Sequence, residues 1–352
     1  MTGTAGGRTS PIATLFPGYF AMVMATGIVA IACHLLGLER IAQGLLPVNV
    51  AAYVTLAALN LARAVRYPAR FVADLADHQR GVGFFTAVAA TGVLGSQALL
   101  VHGGHTVAAC LLALAVVLWA AVTYTVFTAL TVKETKPSLA DGINGGWLVA
   151  VVATQSIANL SGLLLSRVGA QREPLAFVAL SFWLFGGMLY IWTMSLIFYR
   201  YTFFTLSPTD LQPPYWINMG AMAISTLSGA TLVANEAGSP LLLSLDPFLR
   251  GFTVLFWATA TWWIPMLVIL GAWRHVYRRV PLRYDPLYWG AVFPLGMYAV
   301  ATFRLAAVFD LPFLLVVPRV FVFVALAAWT LTFTGLVRSL ATAVKGPAHA
   351  SL

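Results

Sequence analysis

Ten stretches of this chain are apolar for the full length of a membrane-spanning helix, and nothing else in the sequence restricts its fold so strongly. They fall at about 17–37, 46–66, 83–101, 106–130, 145–165, 174–199, 215–236, 250–273, 287–309 and 316–337. Roughly 20 residues at 1.5 Å each cross a hydrocarbon core about 30 Å thick. No water reaches the backbone in that layer, so each run must close its own hydrogen bonds as a helix. Composition agrees: of 352 residues 60% are hydrophobic and 9% charged, and mean hydropathy is +0.87. A soluble domain would carry about 25% charged residues. Disordered, collagen-like and disulfide-rich classes are excluded on the same grounds. The two cysteines, Cys33 and Cys110, lie inside apolar runs and can build neither a disulfide framework nor a metal cluster.

The expected fold class is therefore an all-α polytopic membrane protein of ten helices, arranged as five helical hairpins. Residues 1–16 and 338–352 form short tails around a transmembrane domain at 17–337. The first run lacks an A-x-A-like processing site and reads as an uncleaved span. The breaks between runs have turn chemistry, as in His102-Gly103-Gly104-His105 and Gln212-Pro213-Pro214.

The net charge of +9 would suggest nucleic acid in a soluble domain, but here it reports orientation and calls for no nucleic-acid partner. With the N-terminus in the cytoplasm, fourteen of the twenty Lys and Arg fall on that side. Five (Arg40, Arg167, Arg172, Arg250 and Arg319) fall on the other, and Arg304 lies inside the ninth run. Cytoplasmic loops carry the excess of cations, which puts both termini inside, in what we expect to be a bacterial inner membrane.

The odd runs, beginning near 17, 83, 145, 215 and 287, differ in kind from the even ones. They hold thirteen glycines, against five (Gly186, Gly187, Gly251, Gly271 and Gly335) in the even runs. They also share a small-polar signature: Ala25-Thr26-Gly27, Ala90-Thr91-Gly92, Ala153-Thr154-Gln155, Ser225-Thr226 and Ala301-Thr302. The even runs are heavy in Leu, Phe and Trp. Small residues permit close backbone approach or face water, whereas bulky apolar ones face lipid. The alternation predicts an inner ring of odd helices around a central pore and an outer ring of even ones. Glycine serving only helix packing is the alternative reading of the same pattern.

Ionisable groups at membrane depth are expensive and point to function. Arg304 stands about 7 Å inside the end of the ninth run at 1.5 Å per residue, a depth that fits either a pore-facing cation or one that snorkels to the interface. No carboxylate occupies the core, which disfavours a proton relay and suits neutral donors plus positive charge acting on an anion. Phosphate-loop, metal-site and hydrolase motifs are missing, so no cofactor or metal is expected.

Two motifs carry a resemblance. The first run reads Phe16-Pro17-Gly18-Tyr19-Phe20-Ala21-Met22-Val23-Met24-Ala25-Thr26-Gly27-Ile28. The ninth reads Trp289-Gly290-Ala291-Val292-Phe293-Pro294-Leu295 and then Val300-Ala301-Thr302-Phe303-Arg304. With ten spans, this resembles the tellurite-resistance/dicarboxylate transporter family over essentially the whole chain. That family includes bacterial tellurite-resistance membrane proteins, fungal malate permeases, sulfite efflux pumps and plant slow-type anion channels. The resemblance implies a homotrimer whose protomers each enclose a five-helix pore, plugged by a phenylalanine of the ninth helix. By position the gate is Phe293 beside Pro294, with Phe293 as one more packed core ring the competing reading. The lining is expected to include Phe20, Thr26, Thr91, Thr154, Gln155, Thr226 and Thr302, with Arg304 adding positive potential. The implied activity is passage of small anions such as C4-dicarboxylates, sulfite, chloride or nitrate, by a channel or a carrier, and not an enzymatic reaction. A membrane-embedded enzyme or sensor with the bundle as scaffold is the alternative. It would need a polar cluster at one membrane face, and Arg274, Arg278, Arg279 and Arg283 are the candidate group, otherwise explained by positive-inside anchoring or lipid headgroup contact.

Overall fold

The computed structural model describes residues 10–345, so parts of the two expected tails, residues 1–9 and 346–352, lie outside the described residues. Among the described residues ten helices are long and apolar enough to cross a membrane. They are α1 (Pro17–Leu35), α2 (Glu39–Arg66), α3 (Gly81–His102), α4 (His105–Val132), α5 (Gly145–Arg167), α6 (Arg172–Phe203), α7 (Pro213–Val233), α8 (Asp246–Tyr277), α9 (Pro286–Val308) and α10 (Pro312–Thr342). The even helices run beyond their apolar windows. Helix α2 begins at Glu39 rather than near 46 and passes through Pro47, because a helix end at headgroup depth tolerates charge that a hydropathy window rejects.

Burial separates the two sets. Between 72% and 94% of the apolar window is buried in each odd helix, but only 17% to 44% in each even one. Each odd helix packs on the next, and α9 returns to α1, closing a ring of five parallel helices. Each even helix lies over the groove between its preceding and following odd helices.

Two repeated contacts hold the rings. The first lies between odd helices, where a glycine faces the next helix in order. A Cβ added at Gly27 would meet Val93 at 2.7 Å, at Gly92 it would meet Ser156 at 2.5 Å, and at Gly162 Thr231 at 2.8 Å. Added at Gly220 it would meet Pro294 at 2.7 Å, and at Gly296 Ile28 at 3.0 Å. The glycine enrichment of the odd runs is thus a requirement of close approach around the ring.

The second contact ties the outer ring to the inner. Tyr53 of α2 bonds Thr91 of α3 at 2.8 Å, and Trp119 of α4 donates to Thr154 of α5 at 2.9 Å. Trp183 of α6 donates to the Ser225 carbonyl of α7 at 2.9 Å. Trp257 of α8 donates to Thr302 of α9 at 3.0 Å, and Trp329 of α10 to Thr26 of α1 at 2.9 Å. Each bond runs from an even helix to the next odd one, and the last closes the circle. Thr26, Thr91 and Thr154 also pass their own proton to the carbonyl four residues back, so both ends of each hydroxyl are satisfied without water.

Removing one such bond is predicted to cost about 1 kcal/mol. Trp329→Phe and Thr26→Val should each lower stability by that order in detergent unfolding, and the double variant should lose no more than the larger single loss.

Candidate functional site

Every odd helix begins with a 3₁₀ turn: Pro17–Phe20, Gly81–Phe84, Gly145–Leu148, Pro213–Trp216 and Pro286–Tyr288. Proline pre-sets the backbone at three of these starts and glycine opens the other two. The turns touch one another at the near face of the bundle. Thr86 donates to the Pro17 carbonyl at 3.2 Å, and a Cβ at Gly145 would come within 2.5 Å of the Pro214 carbonyl oxygen.

Together the turns line a cavity of about 490 Å³ that opens at this face. Its polar groups are Gln79, Arg80, Thr86, Asn144, Gln212 and Asp285. Arg80 is held by Asp74 at 2.8 Å, donates to the Leu15 carbonyl at 3.1 Å and lies over the Phe16 ring. Because the odd helices are parallel, five helix N-termini converge on this mouth. Asn144 and Asp285 cap two of these starts, at the Gly146 and Leu287 N–H groups, and the positive dipole ends of the five helices favour an anion there.

A second cavity lies further along the same five helices and measures about 20 Å³, room for one water-sized species. Ser96, Ser156, Asn159 and Arg304 supply its polar lining. Asn159 donates to Ser96 at 3.3 Å and accepts from Thr231 at 3.0 Å. Arg304 is the only charged side chain bordering it, and no ion pair of Arg304 occurs among the described residues. Outside this mouth Arg250 is occupied: it pairs with Glu236 at 2.6 Å and Asp246 at 2.5 Å and donates to the Val308 carbonyl. Burial raises the Glu236 carboxyl above its usual range, with Asp246 adding to the shift and Arg250 opposing it.

Between the cavities the ring is closed. The near cavity reaches Ala21, Thr86, Val149, Ile217 and Gly290. The far one resumes at Ile28, Gly92, Ser156, Ile224 and Met297. That collar is about 10 Å long at 1.5 Å per residue. Among its five segments Phe293 is the only aromatic residue, and it is 1% exposed. Pro294 follows it and packs on Gly220 of α7. Having no N–H, Pro294 leaves the Gly290 carbonyl without its helical partner.

The sequence-derived lining is redistributed by this geometry. Arg304 borders the far cavity, while Thr26, Thr91, Thr154, Thr226 and Thr302 border neither. Four of these threonines receive the outer-ring donors described above, and Thr226 bonds its own helix at Met222. The reason is helical phase. Thr26, Thr154, Thr226 and Thr302 each stand two residues, about 200°, from the lining positions Ile28, Ser156, Ile224 and Val300 or Arg304. Gln155 leans outward and donates to the Trp183 carbonyl at 3.0 Å, and Phe20 packs edge-on against Tyr53. The polar residues that border the cavities instead include Asn144 at the near one and Ser96, Ser156 and Asn159 at the far one, of which Ser156 and Asn159 are three apart and so share a helix face.

A sequence profile of the SLAC1 family, described as voltage-dependent anion channel, matches residues 14–337. An uncharacterized membrane protein of Mycobacterium tuberculosis (strain H37Rv) is 42% identical over 156 residues, covering 44% of this chain and 79% of that protein. An uncharacterized transporter of Methanocaldococcus jannaschii is 24% identical over 302 residues, covering 83% of this chain and 84% of that one.

Gly145→Ala is predicted to lower stability by about 1–3 kcal/mol, since its new Cβ meets backbone at Pro214 and Tyr215 that cannot swing aside. Gly44→Ala, with no atom within 4 Å of its Cβ, should leave unfolding unchanged or raise its midpoint.

Proposed function

The chain belongs to the voltage-dependent anion channel (SLAC1) family, and from that premise we propose that it conducts small anions along the axis of the inner ring, with Phe293 as the gate. The family carries anions across membranes, and the physics of this path favours the same cargo. Five helix N-termini draw negative charge into the near cavity, and the unpaired Arg304 waits in the far one. What supports the gate assignment is that Phe293 is buried and is the single aromatic residue in the segments between the two cavities, where an apolar plug would exclude water and hence ions. Pro294 weakens α9 at that point, so the helix can bend there and withdraw the ring.

A far cavity of about 20 Å³ with one guanidinium and three neutral side chains suits a compact monovalent anion such as chloride or nitrate better than a C4-dicarboxylate such as malate; sulfite is intermediate. Apart from Asp285 at the near mouth, neither cavity is bordered by a carboxylate or histidine among the described residues, so flux follows voltage and concentration without proton coupling. We assign the near face to the cytoplasm of a bacterial inner membrane, both termini with it, on the cation bias of the loops. Family resemblance supports a homotrimer, and the exposed apolar sides of the even helices leave room for a neighbouring subunit or lipid.

The experiment is anion current across a planar bilayer with chloride, nitrate, sulfite and malate in turn. Phe293→Ala should raise conductance several-fold, and folded protein that is silent in both forms would sink the proposal. Arg304→Gln should lower chloride current several-fold at low salt, with the difference shrinking as salt rises. An unchanged current would remove Arg304 from the path.

A further inference from the structure

The near face also carries a cleft outside the ring that conduction does not use. The last turn of α8, Trp273–Tyr277, is a π-helix, a local irregularity common at functional sites. The chain then folds back on it. The Val280 N–H bonds the Arg274 carbonyl at 3.1 Å, the Val280 carbonyl meets His275 at 2.8 Å, and Arg279 adopts a left-handed φ of 54°. A non-glycine residue in that conformation is uncommon and persists only where its surroundings enforce it.

The fold-back brings Arg283 to the same hollow as Arg274, a space of about 230 Å³ rimmed also by Tyr284 and Tyr288. On the other side of Arg274 a second hollow of about 230 Å³ descends toward membrane depth between α7, α8 and α9. Its floor is apolar: Trp216, Leu267, Gly271 and Ala291. The two hollows share Gln212, Pro213, Arg274 and Tyr288 and form one amphipathic cleft.

Charge distinguishes this cleft from the rest of the near face. Arg63 and Arg80 are neutralised by Asp74 at 2.6 and 2.8 Å, and Arg200 approaches Asp210 at 3.7 Å. Arg274, Arg278, Arg279 and Arg283 have no ion pair among the described residues. Arg274 donates one N–H to the Leu211 carbonyl, and its Nε is buried without a partner. Arg66, Arg70, Lys133, Lys136 and Arg338 are also without an ion pair among the described residues, but none of them borders an apolar floor. Positive-inside anchoring accounts for cations at this face; it does not account for a cleft with an apolar floor whose rim sets two arginines without ion pairs, Arg274 and Arg283, against one carboxylate, Asp285.

We propose that this cleft binds one anionic phospholipid, its phosphate between Arg274 and Arg283 and one acyl chain along Trp216, Leu267 and Gly271. Phosphate matches the guanidinium fork, and the open space beside Gly271, where an added Cβ meets nothing within 4 Å, accepts the chain. The cleft floor includes Ala291, two residues before Phe293, and its rim shares Asp285 with the near cavity, so the lipid touches the helix that closes the path.

The test is native mass spectrometry of the purified full chain titrated with phosphatidylglycerol or phosphatidylcholine, a readout that does not depend on conduction. Wild type should retain one phosphatidylglycerol per chain in preference to phosphatidylcholine. R274Q/R283Q should retain it about twenty-five-fold more weakly, each arginine near an anionic headgroup contributing about fivefold. R66Q/R70Q removes the same charge from the same face without touching the cleft and should retain it as wild type does. Gly271→Leu, which fills the floor and leaves every arginine in place, should also lose the lipid, and it carries the test if the double arginine variant does not fold. Equal retention of the two lipids, equal loss in R66Q/R70Q, unchanged retention in Gly271→Leu, or displacement by inorganic phosphate at matching concentration would each overturn the proposal.

Discussion

A polar hydrogen left unpaired in hydrocarbon costs several kcal/mol, and the architecture depends on how that cost is avoided five times over. Each even helix contributes at least one indole N–H or phenol O–H whose partner is on the following odd helix. The bonds are directional, so they fix the rotation of both partners. A threonine held outward by Trp119 or Trp329 turns the opposite face of its helix toward the axis. The glycines act in the tangential direction and let neighbouring odd helices meet at backbone distance. Tightness of the collar follows from these two sets of contacts together.

Parallel inner helices have an electrostatic consequence. Each helix end carries roughly half a charge, positive at the N-terminus and negative at the C-terminus. Five N-termini meet at the near mouth, where they attract an anion, and five C-termini meet at the far mouth, where they repel it. Arg304 borders the far cavity about one turn before those C-termini, where an added positive charge offsets them. Asn159 and Ser96 stand beside it with neutral donors. The asymmetry of the lining, backbone dipoles at one end and a side-chain cation at the other, is therefore what the proposed anion path would require of a parallel ring.

Helix α9 joins most of these features. It carries the collar aromatic Phe293, the proline beside it and Arg304, it receives the Trp257 bond at Thr302, and its first turn stands against the arginine-rimmed cleft. A helix with one missing backbone bond, clamped at Thr302 and flanked by an open cleft at its start, has its freedom concentrated between those points. The other four inner helices have no proline within the collar.

Hydropathy alone determined that this chain forms ten spanning helices, because a backbone in hydrocarbon has no other way to satisfy itself. The alternation of glycine-rich and aromatic-rich runs was likewise sufficient to sort inner from outer helices, since backbone approach and lipid contact demand opposite side-chain sizes. The direction in which a given residue faces was not legible. Thr26 and Ile28, or Thr302 and Arg304, are neighbours in sequence but about 200° apart around a helix, and a helix buried on all sides shows no apolar stripe from which to read its phase. Only the tertiary structure decided that the threonines serve the outer ring and that Ser96, Ser156 and Asn159 border the same cavity as Arg304, because that choice rests on partners some 30 to 300 residues away in sequence.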